Sequence, residues 1–380
     1  MLSFVSVNFN NWYRVIFDNL YKQLDFDMHY VRDIVVDPPY YHLSNKHTSS
    51  DSPAGSVWFF DQEPLHTEAI RHVESADKWY FCPGTKLFVT SEISNTVDRY
   101  TQGMNATSIY YFFHAIAANE WYHQYRWDRP RYNGHKHLFI SYNNLVNPFR
   151  AHRIDLLCRL YDKDLVKQGL MSYRVPDVAN EVEKSVTRNP WYTAESKAIY
   201  EKHKDKLNTP LIIDTENVEG FLSATIDLAN CRDSFVHVVT ETEYFKDKLH
   251  LTEKVFKPIV AGQPFLLLAG VGNLEYLRSY GFKTFDDYWD ESYDNITDPG
   301  KRVEAVVAIL EKLAGMSHAE QVAMRKDMQH IIEYNFDHLF TTLRPIVVDE
   351  FITNTKAALD ANNIDYSRVD FKKLYTLMVN

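Results

Sequence analysis

The sequence predicts an α/β protein of two domains, each a Rossmann-like layer of strands and helices. Three observations carry this. Short runs of β-branched and aromatic residues alternate with stretches of helical spacing along most of the chain. Polar or acidic residues follow several of those runs, as they would at the common edge of a parallel sheet: Asp61-Gln62-Glu63-Pro64 after Val57–Phe60, and Thr90-Ser91-Glu92 after Lys86–Val89. Between the halves, Arg126–His137 (RWDRPRYNGHKH) is rich in charge, Pro and Gly and reads as a linker. At 380 residues the chain is long for one domain and natural for two. The predicted division is 1–130, 131–345 and a helical tail, 346–380.

The elements follow in order. Leu2–Val7 is a first strand. Asn11–Leu24 has a helical apolar spacing through Trp12, Val15, Ile16 and Leu20. Ile34-Val35-Val36 is a strand candidate, and Pro38–Gly55 is a polar loop. After Val57–Phe60 and Lys86–Val89, Ser108–Phe113 is a strand ending at His114. A helix through Ile116 and Trp121 follows. In the second half, Leu138–Tyr142 is a strand with Asn143 and Asn144 at its end. Ala151–Tyr161 is a helix carrying Ile154, Leu157 and Leu160 on one face. Gly169–Tyr173 and Leu211–Ile213 are strands, and Phe221–Asn230 is a short helix. Leu274–Tyr280 is a helix stopped by Gly281. Asp298-Pro299 opens a longer one that ends at Gly315. Ser317 and Glu320 form a capping box, and helical segments lie at Pro345–Leu359 and near Leu374.

The bulk numbers exclude several classes. A hydrophobic fraction of 45% is that of a globular chain. A net charge of −10 argues against a broad non-specific nucleic-acid surface. Cys82, Cys158 and Cys231 are odd in number and far apart, so neither a disulfide framework nor a zinc site is indicated. No basic leader and no apolar run of membrane-spanning length is present, so a cytoplasmic protein without a membrane anchor is expected.

The most informative stretch is Ser234–Gly270. Phe235–Val239 is a strand, and Thr240–Leu251 is a polar loop holding Glu241 and Glu243. Thr252 stands where an N-cap belongs, with Glu253 in the first turn. Val255, Ile259 and Val260 share a face, Pro258 should kink or shorten the helix, and Gly262 closes it before the strand Pro264–Leu268. A polar loop and a helix start at a strand's C-terminal end suit a diphosphate, and Lys254 and Lys257 add charge. Arg150 and Arg153, near the start of the Ala151–Tyr161 helix, are candidates for the same anion. The plain alternative is a capped core helix with solvated cations.

Glu241, Thr252-Glu253-Lys254 and Pro264 resemble the donor-binding signature of α-1,3-fucosyltransferases. Gly281–Asp294 (GFKTFDDYWDESYD) is similar to a group of phage and large-virus proteins classed as glycosyltransferases. Those proteins also carry an Asn…His-Arg pattern, matched here by Asn143, His152 and Arg153. The resemblance implies the GT-B arrangement, two Rossmann-like domains facing across a cleft, with terminal helices free to cross back to the first. The fucosyltransferase resemblance implies inversion, a guanosine-linked donor and no obligatory metal; the co-substrate expected for this chain is a GDP- or UDP-linked sugar, with no other cofactor. The acceptor is a glycan, a protein or a hydroxylated DNA base.

Chemistry then assigns roles. Lys254, Arg150 and Arg153 would stabilise the leaving diphosphate. Glu241 and Glu253 would accept hydrogen bonds from sugar or ribose hydroxyls. An inverting transfer needs a base, and Glu63, then Asp61 and Glu92, are the candidates. Asp286, Asp287, Asp290, Glu291 and Asp294 are read as capped turns, with a metal site as the alternative. A non-catalytic carbohydrate- or nucleotide-binding module, or a virion-associated one, on the same scaffold is the competing reading of function.

Overall fold

The computed structural model describes residues 4–7, 57–60, 87–104, 106–143, 150–174, 181–187, 189–190, 192–213, 222–245 and 248–379. The expectations for Asn11–Leu24, Ile34–Val36, Pro38–Gly55 and Asp61–Pro64 lie outside them. The chain divides into two compact units, Met1–Ile116 with Arg344–Asn380, and Ala117–Leu343.

The first unit holds a four-stranded parallel sheet in the order β1 (Phe4–Val7), β2 (Val57–Phe60), β3 (Leu87–Thr90) and β4 (Thr107–Tyr110). All of β3 is buried, as expected of a strand covered on both faces. Between β3 and β4 lies α1 (Asn95–Met104), which the sequence reading leaves out although Val97, Tyr100 and Met104 follow helical spacing. Phe113 was expected to end a strand; it opens the helix α2 (Phe113–Trp121) instead. Tyr111, Phe112 and Phe113 form a continuous apolar run, which fits a buried strand and a buried helix equally well.

The C-terminal helices α12 (Leu343–Ala361) and α13 (Phe371–Val379) belong to this first unit. Asn354 Nδ2 donates to the Tyr110 carbonyl at 2.8 Å, and Asn362 Nδ2 donates to Thr107 Oγ1 at 2.9 Å. Eight helical residues rise about 12 Å and three strand residues about 10 Å, so α12 runs antiparallel to β4 along its length. It thereby covers the edge strand of the sheet.

The second unit holds another four-stranded parallel sheet, in the order β6 (Leu170–Met171), β5 (His137–Ser141), β7 (Ser234–Thr240) and β8 (Phe265–Leu268). Every residue of β7 and β8 is buried, so both faces are covered. The helices α3 (His152–Asp162), α5 (Ala194–His203) and α9 (Pro299–Ala314) pack together, with α9 against β5 and β8. The short helices α6 (Leu228–Arg232) and α7 (Phe256–Ala261) form a second group, with α6 against β7 and α11 (Gln329–Thr341) against α7. The remaining helices are α4 (Glu181–Thr187), α8 (Asn273–Ser279) and α10 (His318–Asp327).

Local chemistry explains the ends of these elements. Asp298 caps α9 by accepting from the Lys301 N–H at 3.0 Å, with Pro299 at the first helical position. Ser317 and Glu320 complete the capping box of α10 reciprocally. Two expectations fail here. Of Leu211–Ile213 only Leu211 pairs, as an isolated antiparallel bridge to Tyr173, and Ile212 is 63% exposed. The Phe221–Asn230 helix is two pieces, a 3-10 turn at Leu222–Ala224 and α6, because Asp227 caps the second piece. Among the described residues no helix is long and apolar enough to cross a membrane.

Candidate functional site

The strand order places a topological switch point in the second sheet. From β5 the chain goes to β6 on one side; it returns as β7 on the other. The C-terminal ends of β5 and β7 are therefore neighbours from which the chain departs in opposite directions, and ligands of open α/β sheets bind at such a crevice. Asn143 and Glu241 stand at those two ends.

Thr240, the last residue of β7, donates from its hydroxyl to Asn143 Oδ1 at 2.7 Å. Asn143 Nδ2 donates to Ser141 Oγ at 3.0 Å, and its backbone N–H donates to Ser172 Oγ at 2.9 Å. Asn143 is fully buried, so it ties the strand ends together. Arg153, in the first turn of α3, donates from Nη2 to the Thr240 carbonyl at 3.1 Å. Burial, then Arg150, pulls the Arg153 guanidinium down to about 9, against the opposing charges of Glu241 and Glu253. That is still well above neutral, so the group is a cation at pH 7. Arg150 is half-buried beside it.

Glu241 follows β7 directly, and its backbone N–H donates to the Leu268 carbonyl of β8 at 2.9 Å. Its carboxylate is wholly buried and accepts from the Thr252 hydroxyl at 2.5 Å and from the Thr252 N–H at 3.2 Å. Burial raises the Glu241 carboxyl above its ordinary value, while Lys254 and the Thr252 hydroxyl pull it back down. Lys254 Nζ donates to Thr252 Oγ1 at 3.1 Å, to Glu253 Oε1 at 3.2 Å and to Thr242 Oγ1 at 3.4 Å. Lys254 keeps 30% of its side chain exposed against 7% for Glu253. Thr252 is the expected cap, but it opens a 3-10 turn, Glu253–Val255, and only then the six-residue α7. Pro258 and the left-handed Gly262 (φ +74°) leave no room for a longer helix, so its dipole is weaker than the sequence suggested.

Lys257 acts elsewhere. Its charge is felt at Cys231 of α6 and at His237 of β7. Glu243 lies 3.9 Å from the buried Lys248. Asn273 braces that loop by donating to the Lys248 and Gly270 carbonyls at 2.8 and 2.9 Å. Of the candidate bases, Glu92 is buried at the start of α1, where its carboxylate accepts from the Ser94 hydroxyl; Asp61 and Glu63 lie outside the described residues.

Three further residues shape the site. Arg302 of α9 is buried and donates to the Tyr244 carbonyl at 3.1 Å, to the Ile296 carbonyl at 2.9 Å and to the Ala269 carbonyl. Its guanidinium lies 4.6 Å from the Tyr244 ring centre. It clamps the segments leaving β7 and β8 to one helix. The sequence holds one signal for it: a cation on the Val306 and Leu310 stripe of an amphipathic helix. Tyr122 is buried and donates to the Ser223 carbonyl at 2.7 Å, beside the Glu253 backbone. His152 opens α3 and stacks on Tyr244.

Three carboxylates of the Asp286–Asp294 stretch, those of Asp290, Glu291 and Asp294, are engaged locally. Asp294 caps α8 by accepting from the Leu274 N–H at 3.1 Å, and Glu291 pairs with Arg278 at 2.5 Å. Among the described residues no group of three His, Cys, Asp or Glu side chains converges as a metal site. The linker cations are partly engaged too: Arg129 pairs with Asp337 at 2.7 Å and Lys136 with Asp233 at 2.5 Å.

The chain matches no known protein family and no curated protein. Two solved structures are similar to it in shape. One is a DNA-modifying β-glucosyltransferase, solved with and without its substrate uridine diphosphoglucose. It has 9% identity and a TM-score of 0.42, with 94% of this chain and 99% of that one covered. The other is a UDP-forming α,α-trehalose-phosphate synthase from Burkholderia vietnamiensis, with 13% identity, a TM-score of 0.38, and 82% and 70% covered. At these values neither assigns a substrate, and the α/β architecture stands on the two parallel sheets themselves.

Proposed function

We propose that the chain is a glycosyltransferase that takes a sugar from a nucleoside-diphosphate donor bound at the ends of β5 and β7. One observation carries the reading: Arg153, Glu241, Glu253 and Lys254, three of them from the fucosyltransferase-like signature, act on one another at the switch point of a parallel sheet. With Arg150, three cations stand there against two carboxylates, a surplus that suits an anion.

In this reading the acceptor oxygen bonds to the anomeric carbon as the carbon–oxygen bond to the diphosphate breaks. The electron pair leaves with the diphosphate, where Arg150, Arg153 and Lys254 stabilise it in place of a metal ion. Glu253, next to Lys254, accepts hydrogen bonds from donor hydroxyls, while Glu241 shapes the loop through Thr252. The acceptor's proton passes to a carboxylate, with Glu63 first and Asp61 and Glu92 behind it. The acceptor is a hydroxyl of a glycan, a protein or a modified DNA base.

A thermal-shift screen against GDP, UDP, ADP, CMP and their sugar conjugates, with and without EDTA, tests this. Ligands that bind the native state raise Tm by mass action. The expected result is a shift with one diphosphate family that EDTA leaves unchanged. A shift that EDTA abolishes would overturn the metal-independent step, and the absence of any shift would overturn the donor site.

A further inference from the structure

Residues 130–137 lie against α10 and α11 through polar side chains. Tyr132 Oη stands 2.5 Å from His135 Nδ1, and His135 Nε2 stands 2.9 Å from Gln321 Oε1. The far end of this chain fixes its protons. Gln321 Nε2 donates to the Leu313 carbonyl at 2.8 Å, so the amide oxygen is the atom turned to His135. An amide oxygen only accepts, which puts the ring proton on Nε2. Nδ1 keeps a lone pair and accepts from the Tyr132 hydroxyl. A neutral His135 thus satisfies every member of the chain.

A second ring proton breaks the chain. On Nδ1 it would point at the Tyr132 oxygen, and the hydroxyl would have to turn its own hydrogen away and lose its acceptor. The neighbours oppose the charge as well. The ring centres of His318 in α10 and Phe235 in β7 lie 4.7 and 5.2 Å from that of His135, and the Arg325 guanidinium lies 4.8 Å from the Tyr132 ring centre. Asp233, the carboxylate beside this segment, is paired with Lys136 at 2.5 Å. Burial first holds the imidazole below its ordinary value; the Gln321 hydrogen bond acts against it, and His318 and Arg325 act with it. His135 is half-buried and His318 is exposed, so solvent can deliver the proton.

We propose that Tyr132, His135 and Gln321 form a pH-sensitive latch: the segment stays docked on α10 while His135 is neutral and is released when the ring takes a proton from solvent. The docked ring titrates below the free one, whose value is about 6.5, so the latch holds fully above pH 6.5 and weakens as pH falls from there. Release reaches α7. Arg325 rests on the Tyr132 ring and donates to the Gly262 carbonyl, and Gln329 Nε2 donates to the Pro130 carbonyl at 3.2 Å. Gly262 closes α7, so an open latch withdraws support from the end of that helix opposite Glu253 and Lys254. The latch itself does not depend on what the chain binds.

The test is amide hydrogen exchange of the wild type and His135→Gln at about pH 7.5 and about pH 5.5, each rate divided by the intrinsic rate at that pH. The reporters are Lys136 and His137, whose N–H groups both donate to the Asp233 carbonyl, at 2.7 and 3.0 Å. A released ring that titrates near 6.5 favours the open form roughly tenfold at the lower pH, so wild-type protection should fall by about that factor. The glutamine side chain can donate and accept but cannot titrate, so the variant's protection should hold. Protection that falls equally in both proteins, or does not fall in the wild type, overturns the latch. Ring-nitrogen spectra of isotope-labelled wild type need no variant. They should show the Nε2–H tautomer of His135 at about pH 7.5 and a titration midpoint below about 6.5. The Nδ1–H tautomer or an ordinary midpoint refutes the proposal. Tyr132→Phe, which removes the donor to Nδ1, should move that midpoint back up, and an unmoved midpoint counts against the chain of hydrogen bonds as the cause.

Discussion

The Glu241 carboxylate holds Thr252 twice, taking its backbone N–H on one oxygen at 3.2 Å and its hydroxyl on the other at 2.5 Å. The two residues are 11 positions apart and bracket the loop between β7 and the Glu253–Val255 turn. A buried carboxylate thus closes a polar loop on itself and presents Glu253 and Lys254 beside the strand ends. The sheet supplies the position of the site, and this pair supplies its shape.

Thr252→Val tests that closure. The substitution keeps the side-chain volume and removes the hydroxyl, leaving that oxygen of a wholly buried carboxylate with the longer Thr242 N–H contact at 3.3 Å in place of the short one. Such a loss costs about 1–3 kcal/mol. Urea unfolding should show a lower midpoint with an unchanged slope, and Thr252→Ser should recover most of it. A Val variant as stable as the wild type would show that the pair does not carry the loop.

Lys254→Ala and Glu253→Ala separate affinity from stability. Lys254 is the most exposed member of the polar group around Thr252, so its loss removes little packing. A charge-assisted hydrogen bond to a phosphate is worth about 1.5–3 kcal/mol, which is about 10- to 100-fold in donor Kd. Both variants should melt within a few degrees of the wild type. Normal nucleotide binding by either one would remove that residue from the donor site.

What could be read beforehand was local. A cap residue, a 3.6-residue apolar spacing, a proline and a closing glycine each act over one or two turns, and Thr252–Gly262 and Asp298–Gly315 carried all of these signals. What escaped depends on partners far away in sequence. Arg302 looks like a solvated helix cation until its carbonyl partners from Tyr244 and Ala269 are brought to it by the fold. The 10 residues of α1 hold only a few apolar side chains, and its signals were weak ones: Val97, Tyr100 and Met104 at helical spacing, Asp98 in the first turn, and Ser94, whose hydroxyl accepts from the Val97 N–H. The site shows the same division. The fold places Arg153 at the Thr240 carbonyl, which neither of the two motifs could state alone. The charge of Lys257, three positions from Lys254, reaches His237 in β7, a partner that only the fold supplies.

Gly262→Ala should disturb the site from behind. Gly262 has φ +74°, and a Cβ there would overlap the Pro130 side chain. The left-handed conformation alone costs an alanine about 1 kcal/mol, and relief of the overlap adds about 1–3 kcal/mol. The Gly262 carbonyl also accepts from the buried Arg325, so the backbone has little freedom to retreat. A fall in Tm with weakened nucleotide binding is expected, since α7 carries the Glu253–Lys254 turn at its other end. An unchanged Tm would refute the crowding argument.

The pH dependence of stability can be assigned to a particular group. His237, buried in β7 and hydrogen-bonded to Gln263 at 3.3 Å, is held down to about 3 by desolvation. Its folded value lies below the unfolded one of about 6.5, so the fold favours the neutral ring. The stability this contributes is fully present above pH 6.5 and is lost as pH falls from there towards 3. Between pH 7 and pH 5 the loss is about 2 kcal/mol, from the two values and the 1.36 kcal/mol that each unit represents. Asp155 opposes it over part of the range: burial raises its carboxyl to about 6, so its stabilising effect is complete below the unfolded value and is lost as pH rises through 6. The wild type should therefore lose less than His237 alone dictates, and His237→Gln should shift the stability difference between pH 7 and pH 5 by about 2 kcal/mol in favour of pH 5, so that the variant gains stability on acidification. Urea unfolding of both proteins at the two pH values measures the difference, and parallel profiles would show that His237 is not the group responsible.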